Sequence, residues 1–498
     1  MTTATRTLPR KLAPPRTAPI VFLDNPRSAI EVAVDPSLAN SPGMYGLREL
    51  LRIIGLPSIA SQTDEPSLYY GPSAQIGSRA AIWIEPQQIN SPPLANFIAS
   101  RLPLGKIADS HALWGNRRLT IDLPRAAAFW LTLENEHTVI QRDQHGRVRS
   151  GDSLLGQLGN LHQPPVHDYA RVLADRLLKL APSARLIPRW PHDKRYAVAL
   201  THDVDHPERP SPIEQIYNGR KSNRIRTWRQ AYWQFRSDLR RRPLATLDPR
   251  PPTLRNEWDF SRFTQLERRC GLRSAFYFAS TDKCHGSTWD VAYDCAAPRY
   301  TRLYRRLNQT GWEVGLHAGY LTATTPGRIT EEFDRLSDIT TKPLHGVRHH
   351  YLHVDDAHPL TTLEQLYQAG LQYDATLGFN DAPGFRAGIA LPYLPVRDGC
   401  ADAPFVELPM TIADMHLPTH DIAQACQTVL DHLTIVRNLD GLAVLNWHVG
   451  HWVSHPAWRE AYRTACEMLA NDDHAWVATP RQIAAWTLER SARLFDHQ

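Results

Sequence analysis

Paired cysteines, long apolar runs, internal repeats and a strong charge imbalance are all missing from this chain. Its six cysteines, Cys270, Cys284, Cys295, Cys400, Cys426 and Cys466, form no C-x-x-C pair. Cysteine-held zinc is therefore not expected, and a reducing, cytoplasmic setting fits. No run approaches the length of a membrane span. The basic, proline-containing N-terminus carries no apolar segment of the kind a secretory signal needs. A net charge of only +5 gives no reason to expect a nucleic-acid partner. The 39 prolines are scattered and mark many short connections, with no repeat or low-complexity tract.

At 498 residues the chain is too long for one ordinary domain, and 42% apolar residues suffice for two sizeable cores. Residues 1–18 read as a disordered tail. Residues 19–185 read as a first α/β domain. Its strands are the IVFL run from Ile20 to Leu23, SLYYG and AAIWIEP. Its helices are Tyr45–Ile54, stopped by Gly55 and Pro57, then Leu123–Leu133 and Val166–Leu180. Between the last two, the polar run Asp143-Gln144-His145-Gly146-Arg147 reads as a solvated turn or a binding loop.

From residue 186 onward, strands and helices alternate. Strands are expected at Ala197–Thr201, Ser274–Ala279, Glu313–His317, His345–Tyr351, Gln372–Leu377, Phe405–Thr411, Ala443–His448 and Ala475–Ala478. Alternation of this kind predicts parallel strands with helices outside them. About eight strands predict a (β/α) barrel whose chemistry lies at the C-terminal strand ends. Asp203, Asp205, His317, Arg348, His350, Asp374 and His448 mostly fall at such ends, Asp374 least well.

The central stretch is AVALTHDVD, Ala197–Asp205. Side chains alternate along a strand, so Asp203 and Asp205 share a face. Adjacent carboxylates repel unless a cation or a proton lies between them. A metal ligand beside a catalytic base satisfies that, and so does a pair of solvated loop acids. One segment breaks the pattern. Residues 207–255 are rich in arginine, with Trp228, Tyr232, Trp233 and Phe235 interleaved. Such a composition suits single-stranded nucleic acid, an amphipathic cover over the barrel mouth, or a lid for an anionic glycan.

AVALTHDVD, SAFYF, EVGLHAGY, GVRHHYL, YDATLGF with GFRAG, and LNWH occur in an order that resembles the polysaccharide deacetylase (NodB-like) family. The likeness covers roughly residues 189–479. LPRAAAFWLTLENE and RDQHGRVRSGDSLL resemble the N-terminal domain of unknown function found in one bacterial branch. The resemblance implies a distorted (β/α) barrel of seven or eight strands, here preceded by a smaller α/β domain. It implies metal-dependent removal of an acetyl group from an N- or O-acetylated sugar or polysaccharide precursor. By the same resemblance Asp203 is the catalytic base, Asp205 and His317 are metal ligands, Arg348 orients the base, His448 is the general acid, and Asp374 supports it.

Two positions depart from the family pattern. Leu321 stands where a second metal histidine is usual, and His350 stands where a proline is usual. Within a strand, His350 shares a face with Arg348. The expectation is that His350 replaces the missing ligand, so that Asp205, His317 and His350 hold a divalent metal such as zinc with a position left open. The alternatives are a glycan-binding protein with a decayed site and an amidohydrolase acting on a non-sugar C–N bond. For the substrate, Tyr320, Tyr351, Arg386 and Trp447 are candidates. Arg386 is equally a surface ion pair, and Trp447 and Trp452 could line a sugar subsite, though tryptophans are more often simply packed. His451 competes with His448 for the acid's role, Asp290 and Asp294 lie in a nearby loop, and Asp414 is a further candidate. A backbone N–H near Tyr351 or Leu352 would meet the oxyanion.

Overall fold

The computed structural model describes residues 29–100, 112–205, 207, 260–280, 289, 290, 293–340, 342–355, 358–395 and 404–495. The expected tail, the IVFL strand and all but one residue of the arginine-rich segment lie outside the described residues.

The N-terminal region is built on a six-stranded sheet. Its strands are β1 (Ile30–Val34), β2 (Ser58–Ala60), β3 (Leu68–Tyr70), β4 (Ile82–Ile84), β5 (Trp114–Gly115) and β6 (Arg118–Leu119), in the order β2-β1-β3-β4-β6-β5. All pairs are parallel except β5 with β6. Helix Pro42–Ile54 shows why the local sequence folds as it does. The Ser41 side chain accepts the Met44 N–H at its start, proline occupies the first turn, and Gly55 closes it in the left-handed conformation at φ 82°. Helix Leu123–Leu131 packs against it.

The C-terminal region carries β7 (Tyr196–Val204), β8 (Ser274–Ala279), β9 (Glu313–Ala318), β10 (Gly346–His349), β11 (Tyr373–Asp374), β12 (Val406–Glu407), β13 (Ile412–Ala413), β14 (Leu442–Asn446) and β15 (Ala475–Val477). The main path is β12-β11-β10-β9-β8-β7-β14-β13, parallel throughout. β15 takes the first half of one edge of β7 and β8 takes the second half. Every residue of β7 is buried, as a parallel strand covered on both faces requires. The two edge strands, β12 and β13, are joined by only four residues. Leu408 donates to the Asp374 carbonyl and Thr411 to the Val444 carbonyl. One segment thus bonds to β11 and β14, the strands next to the two edges, and links the ends of the curled sheet, a distorted (β/α) barrel preceded by a smaller α/β region.

Two glycines make room for the barrel floor. A Cβ at Gly315 would lie 2.5 Å from the Tyr277 ring, and one at Gly346 only 1.8 Å from the Tyr373 ring. The two tyrosine hydroxyls meet at 3.2 Å, and Tyr373 donates to buried Glu313 at 2.8 Å. These side chains fill the inside of the barrel below the layer that carries the polar cluster.

One hydrophobic core runs from Leu50 and Trp130 of the N-terminal region to Val198, Leu316 and Val444 of the barrel. Backbone bonds cross between the two as well: Val166 donates to Gly388, and Phe385 donates to Leu161. Among the described residues no helix is long and apolar enough to cross a membrane.

Candidate active site

Strand register explains how distant residues meet. Thr201, Ala275 and Glu313 are aligned across β7, β8 and β9; Asp203, Tyr277 and Gly315 form the next layer. Two residues further on, Ala279, His317 and Arg348 are aligned. With a period of two, Asp203, Asp205, His317 and Arg348 all face inward near the C-terminal ends.

Asp203 is buried and well satisfied. Its Oδ1 accepts from Arg348 Nη1 at 3.2 Å and its Oδ2 from Asn446 Nδ2 at 2.6 Å. Burial alone would raise its carboxyl, but the Arg348 guanidinium, with His317 and His448, holds it below the ordinary range. Arg348 is itself fully buried and also reaches Thr201 Oγ1 at 2.7 Å and the Ala375 carbonyl at 2.8 Å.

Asp205, His317 and His350 form the candidate metal centre, with ligand atoms all within 4.8 Å of one another. His317 Nδ1 lies 2.9 Å from the Arg348 carbonyl, to which it can only donate. In the neutral ring the lone pair is then on Nε2, which lies 3.0 Å from Asp205 Oδ1. Both atoms are buried; burial alone would lower the His317 ring, but Asp203 and then Asp205 raise it. Two acceptors at that distance need a proton or a cation between them. His350 Nε2 is 3.9 Å from the same carboxylate oxygen, so one cation would serve all three side chains. A carboxylate with two imidazoles, one fixed by a backbone carbonyl, suits a divalent ion. The Asp205 carboxyl lies far below the ordinary range; burial opposes this, and the His317 and His448 rings overcome it.

β10 ends at His349, one residue earlier than a strand carrying His350 requires. His350 instead opens a tight turn, His350–Leu352. It reaches the centre from that turn, and its Nδ1 faces Asp290 Oδ1 at 3.6 Å. The Asp290 carboxylate also accepts the Tyr320 N–H at 2.6 Å.

His448 faces the two early acids. Its Nε2 lies 3.7 Å from Asp205 Oδ2 and 3.9 Å from Asp203 Oδ2. Its Nδ1 is 2.8 Å from Asp414 Oδ1, and its N–H donates to Asp414 Oδ2. Burial alone would lower the ring, but Asp414, then Asp205 and Asp203, push it up to about 10. The second oxygen of Asp414 takes His451 Nδ1 at 2.9 Å. These contacts leave Asp414, His448 and His451 bonded to one another.

Three expected roles are corrected. Asp374 does not support His448. It lies opposite Val347 on one side and Glu407 on the other, out of step with inward-facing Arg348. Burial pushes it up to about 6, and Glu407 beside it is raised further. Asp414 takes the place behind His448 because β13 aligns Ala413 with Asn446, two residues before His448. Trp447 does not line the pocket. It alternates with Asn446, is 1% exposed, and donates its indole N–H to the Trp458 carbonyl at 2.9 Å. Arg386 meets neither a substrate nor the surface. It is buried and grips Glu136 of the N-terminal region with two 2.8 Å bonds.

Tyr320 and Tyr351 remain near the centre. The Tyr351 ring is 4.5 Å from the His350 ring, and Tyr320 stacks on His353 at 4.0 Å. Asn446 is not singled out by the sequence, Asp290 is marked there only as part of a nearby loop, and the Asp143–Arg147 run reads there as a solvated turn or a binding loop. For Asn446 a usable signal existed, since it ends a buried strand two residues before His448. The 143–147 loop is not a solvated turn: His145 is 4% exposed, with its ring 4.4 Å from Tyr351 and 4.8 Å from Trp289.

No family model and no curated protein matches the chain. Among solved structures it is similar to a protein from Mycobacterium smegmatis assigned to the polysaccharide deacetylases. That match is at 20% identity and a TM-score of 0.40, over 60% of this chain and 93% of that one. It is similar to an allantoinase at 14% identity and a TM-score of 0.39, over 60% and 93%. A third is the Xyl-CE4 domain of a multidomain xylanase from the hindgut metagenome of Trinervitermes trinervoides, at 11% identity and a TM-score of 0.30, over 58% and 90%. At these values the likeness bears on neither substrate nor mechanism, which rest on the geometry of the site.

Proposed function

We propose that the chain is a metal-dependent hydrolase that removes an acetyl group from an N- or O-acetylated sugar or polysaccharide precursor. What carries this reading is the convergence of three ligand atoms, on Asp205, His317 and His350, all within 4.8 Å of one another, with His317 Nε2 3.0 Å from Asp205 Oδ1. Asp205, His317 and His350 would hold a divalent ion, zinc by the character of the donors. Such an ion polarises an acyl oxygen and makes a water acidic near neutral pH.

The remaining chemistry belongs to the side chains. Asp203, kept ionised by Arg348, accepts a proton from the attacking water, and Asn446 steadies its other oxygen. The backbone N–H groups of the Tyr351–Leu352 turn, which follows His350, are candidates to meet the oxyanion that develops. His448, held protonated by Asp414, gives its Nε2 proton to the departing amine or alkoxide. Water thus adds its hydroxyl to the acyl carbon, the C–N or C–O bond breaks, and acetate and the free amine or alcohol remain.

Metal analysis of the purified chain, with acetate release from acetylated sugars and nucleotide-sugars, tests the proposal. One equivalent of divalent metal is expected, lost on His350→Ala, together with acetate release abolished by Asp203→Asn. A chain that binds acetylated glycan but neither metal nor acetate chemistry would be a non-catalytic glycan-binding protein. Metal without acetate release would point to another C–N bond as substrate.

A further inference from the structure

The turn that delivers His350 is backbone-strained. Tyr351 and Leu352 both adopt left-handed conformations, at φ 61° and 53°. Residues with a Cβ disfavour that region, so two in succession persist only where surrounding groups hold them. Trp289 and Tyr320 of the barrel pack near the Tyr351 ring, and two further groups that hold Tyr351 come from the N-terminal region. Arg147 Nη1 donates to the Tyr351 carbonyl and, at 2.8 Å, to Asn380 Oδ1. The rest of the guanidinium is fixed by Asp143, with Nε 2.8 Å and Nη2 2.7 Å from Oδ2. His145 packs its ring on Tyr351 from the same loop.

The loop is itself pre-formed. Asp143 Oδ1 accepts the N–H groups of His145 and Arg147 at 2.8 and 3.1 Å, and Gly146 takes a positive φ of 79° to close the turn. Ser150 then anchors the chain to Asp381 through its N–H and its hydroxyl, at 3.0 and 3.1 Å. A polar loop is thus clamped to the barrel next to the candidate metal centre.

We propose that the N-terminal region is a working part of the site, with Arg147 a positioning residue that holds the Tyr351 turn and, through it, the aim of His350. This rests on the reading of His350 as a metal ligand. Lysine cannot replace Arg147, because a single ammonium lacks the fork that reaches Asp143, Asn380 and the Tyr351 carbonyl together.

The test uses the full chain loaded with zinc or cobalt(II), comparing the parent, Arg147→Lys and Asn380→Ala. Loss of metal to a chelator and the visible spectrum of the cobalt form are read alongside the thermal midpoint. Losing a group that orients a ligand weakens metal affinity by about tenfold or more. Arg147→Lys is therefore expected to release metal about tenfold faster and to shift the cobalt bands. Asn380→Ala should move both in the same direction by less. A parent that holds metal, with both variants matching its release rate and spectrum, overturns the clamp and leaves the hydrolase reading standing. A parent that takes up no metal overturns both. If Arg147→Lys fails to fold, Asn380→Ala decides alone, and a spectrum and release rate equal to the parent's overturn the proposal.

Discussion

Asp414 holds His448 by two atoms at once, with Oδ1 2.8 Å from the ring Nδ1 and Oδ2 2.9 Å from the backbone N–H. A ring gripped in this way has its Nε2 directed at Asp203 and Asp205, and the buried carboxylate behind it favours the protonated form. Asp414→Asn is expected to leave the fold intact and to lower kcat by about a hundredfold or more, the usual worth of general acid catalysis. Asp374→Asn should change kcat only a few fold. Asp374 lies beside Val347 and Glu407, out of step with inward-facing Arg348, and His448 takes its carboxylate partner from Asp414 instead. Acetate-release kinetics on the two variants check the assignment, and equal losses would contradict it.

The ion pair between Arg386 and Glu136 joins regions 250 residues apart in the chain. Both side chains are almost wholly buried, at 2% and 4% exposure. Removing one partner leaves a charge without water or counter-charge, which typically costs about 3–5 kcal/mol. Arg386→Leu and Glu136→Leu should each destabilise by that order. The double variant should recover most of the loss, because the stranded charge is gone. Urea unfolding of the four proteins closes the cycle, and strictly additive losses would show that the pair is not coupled.

The barrel and most of its polar cluster were legible because they depend on short-range periodicity. AVALTHDVD places two acids two residues apart at the end of a wholly buried strand, and alternation then sets their common face. Asp414 was weakly marked because its placement depends on β13, only two residues long, whose register with β14 no local pattern declares. Asp374 misled for the converse reason: it ends a strand, but its neighbours are Val347 and Glu407. The 143–147 loop has the composition of a solvated turn. Its polar groups are satisfied internally by Asp143 and across the interface by Tyr351 and Asn380, and composition is blind to such partners. Arg386 likewise gave no sign of Glu136, far away in the chain.

His432 couples stability to acid outside the candidate site. It is 2% exposed, and Nε2 lies 2.9 Å from Thr411 Oγ1. Burial pushes the ring down to about 3, and His162 and His416 act in the same direction. An unfolded chain carries an ordinary histidine, which takes up its proton near pH 6.5. Between these two values the unfolded state binds the extra proton, so stability is full above pH 6.5 and falls as the pH drops towards 3. From pH 6.5 to pH 5 the loss through this one residue is roughly 2 kcal/mol. His432→Phe keeps an aromatic ring beside Phe385 and gives up the bond to Thr411, worth about 1 kcal/mol. The variant should therefore be the less stable protein at pH 8 and the more stable one at pH 5. Urea titrations at the two pH values test this, and a variant whose deficit is the same at both would show that His432 does not carry the acid sensitivity.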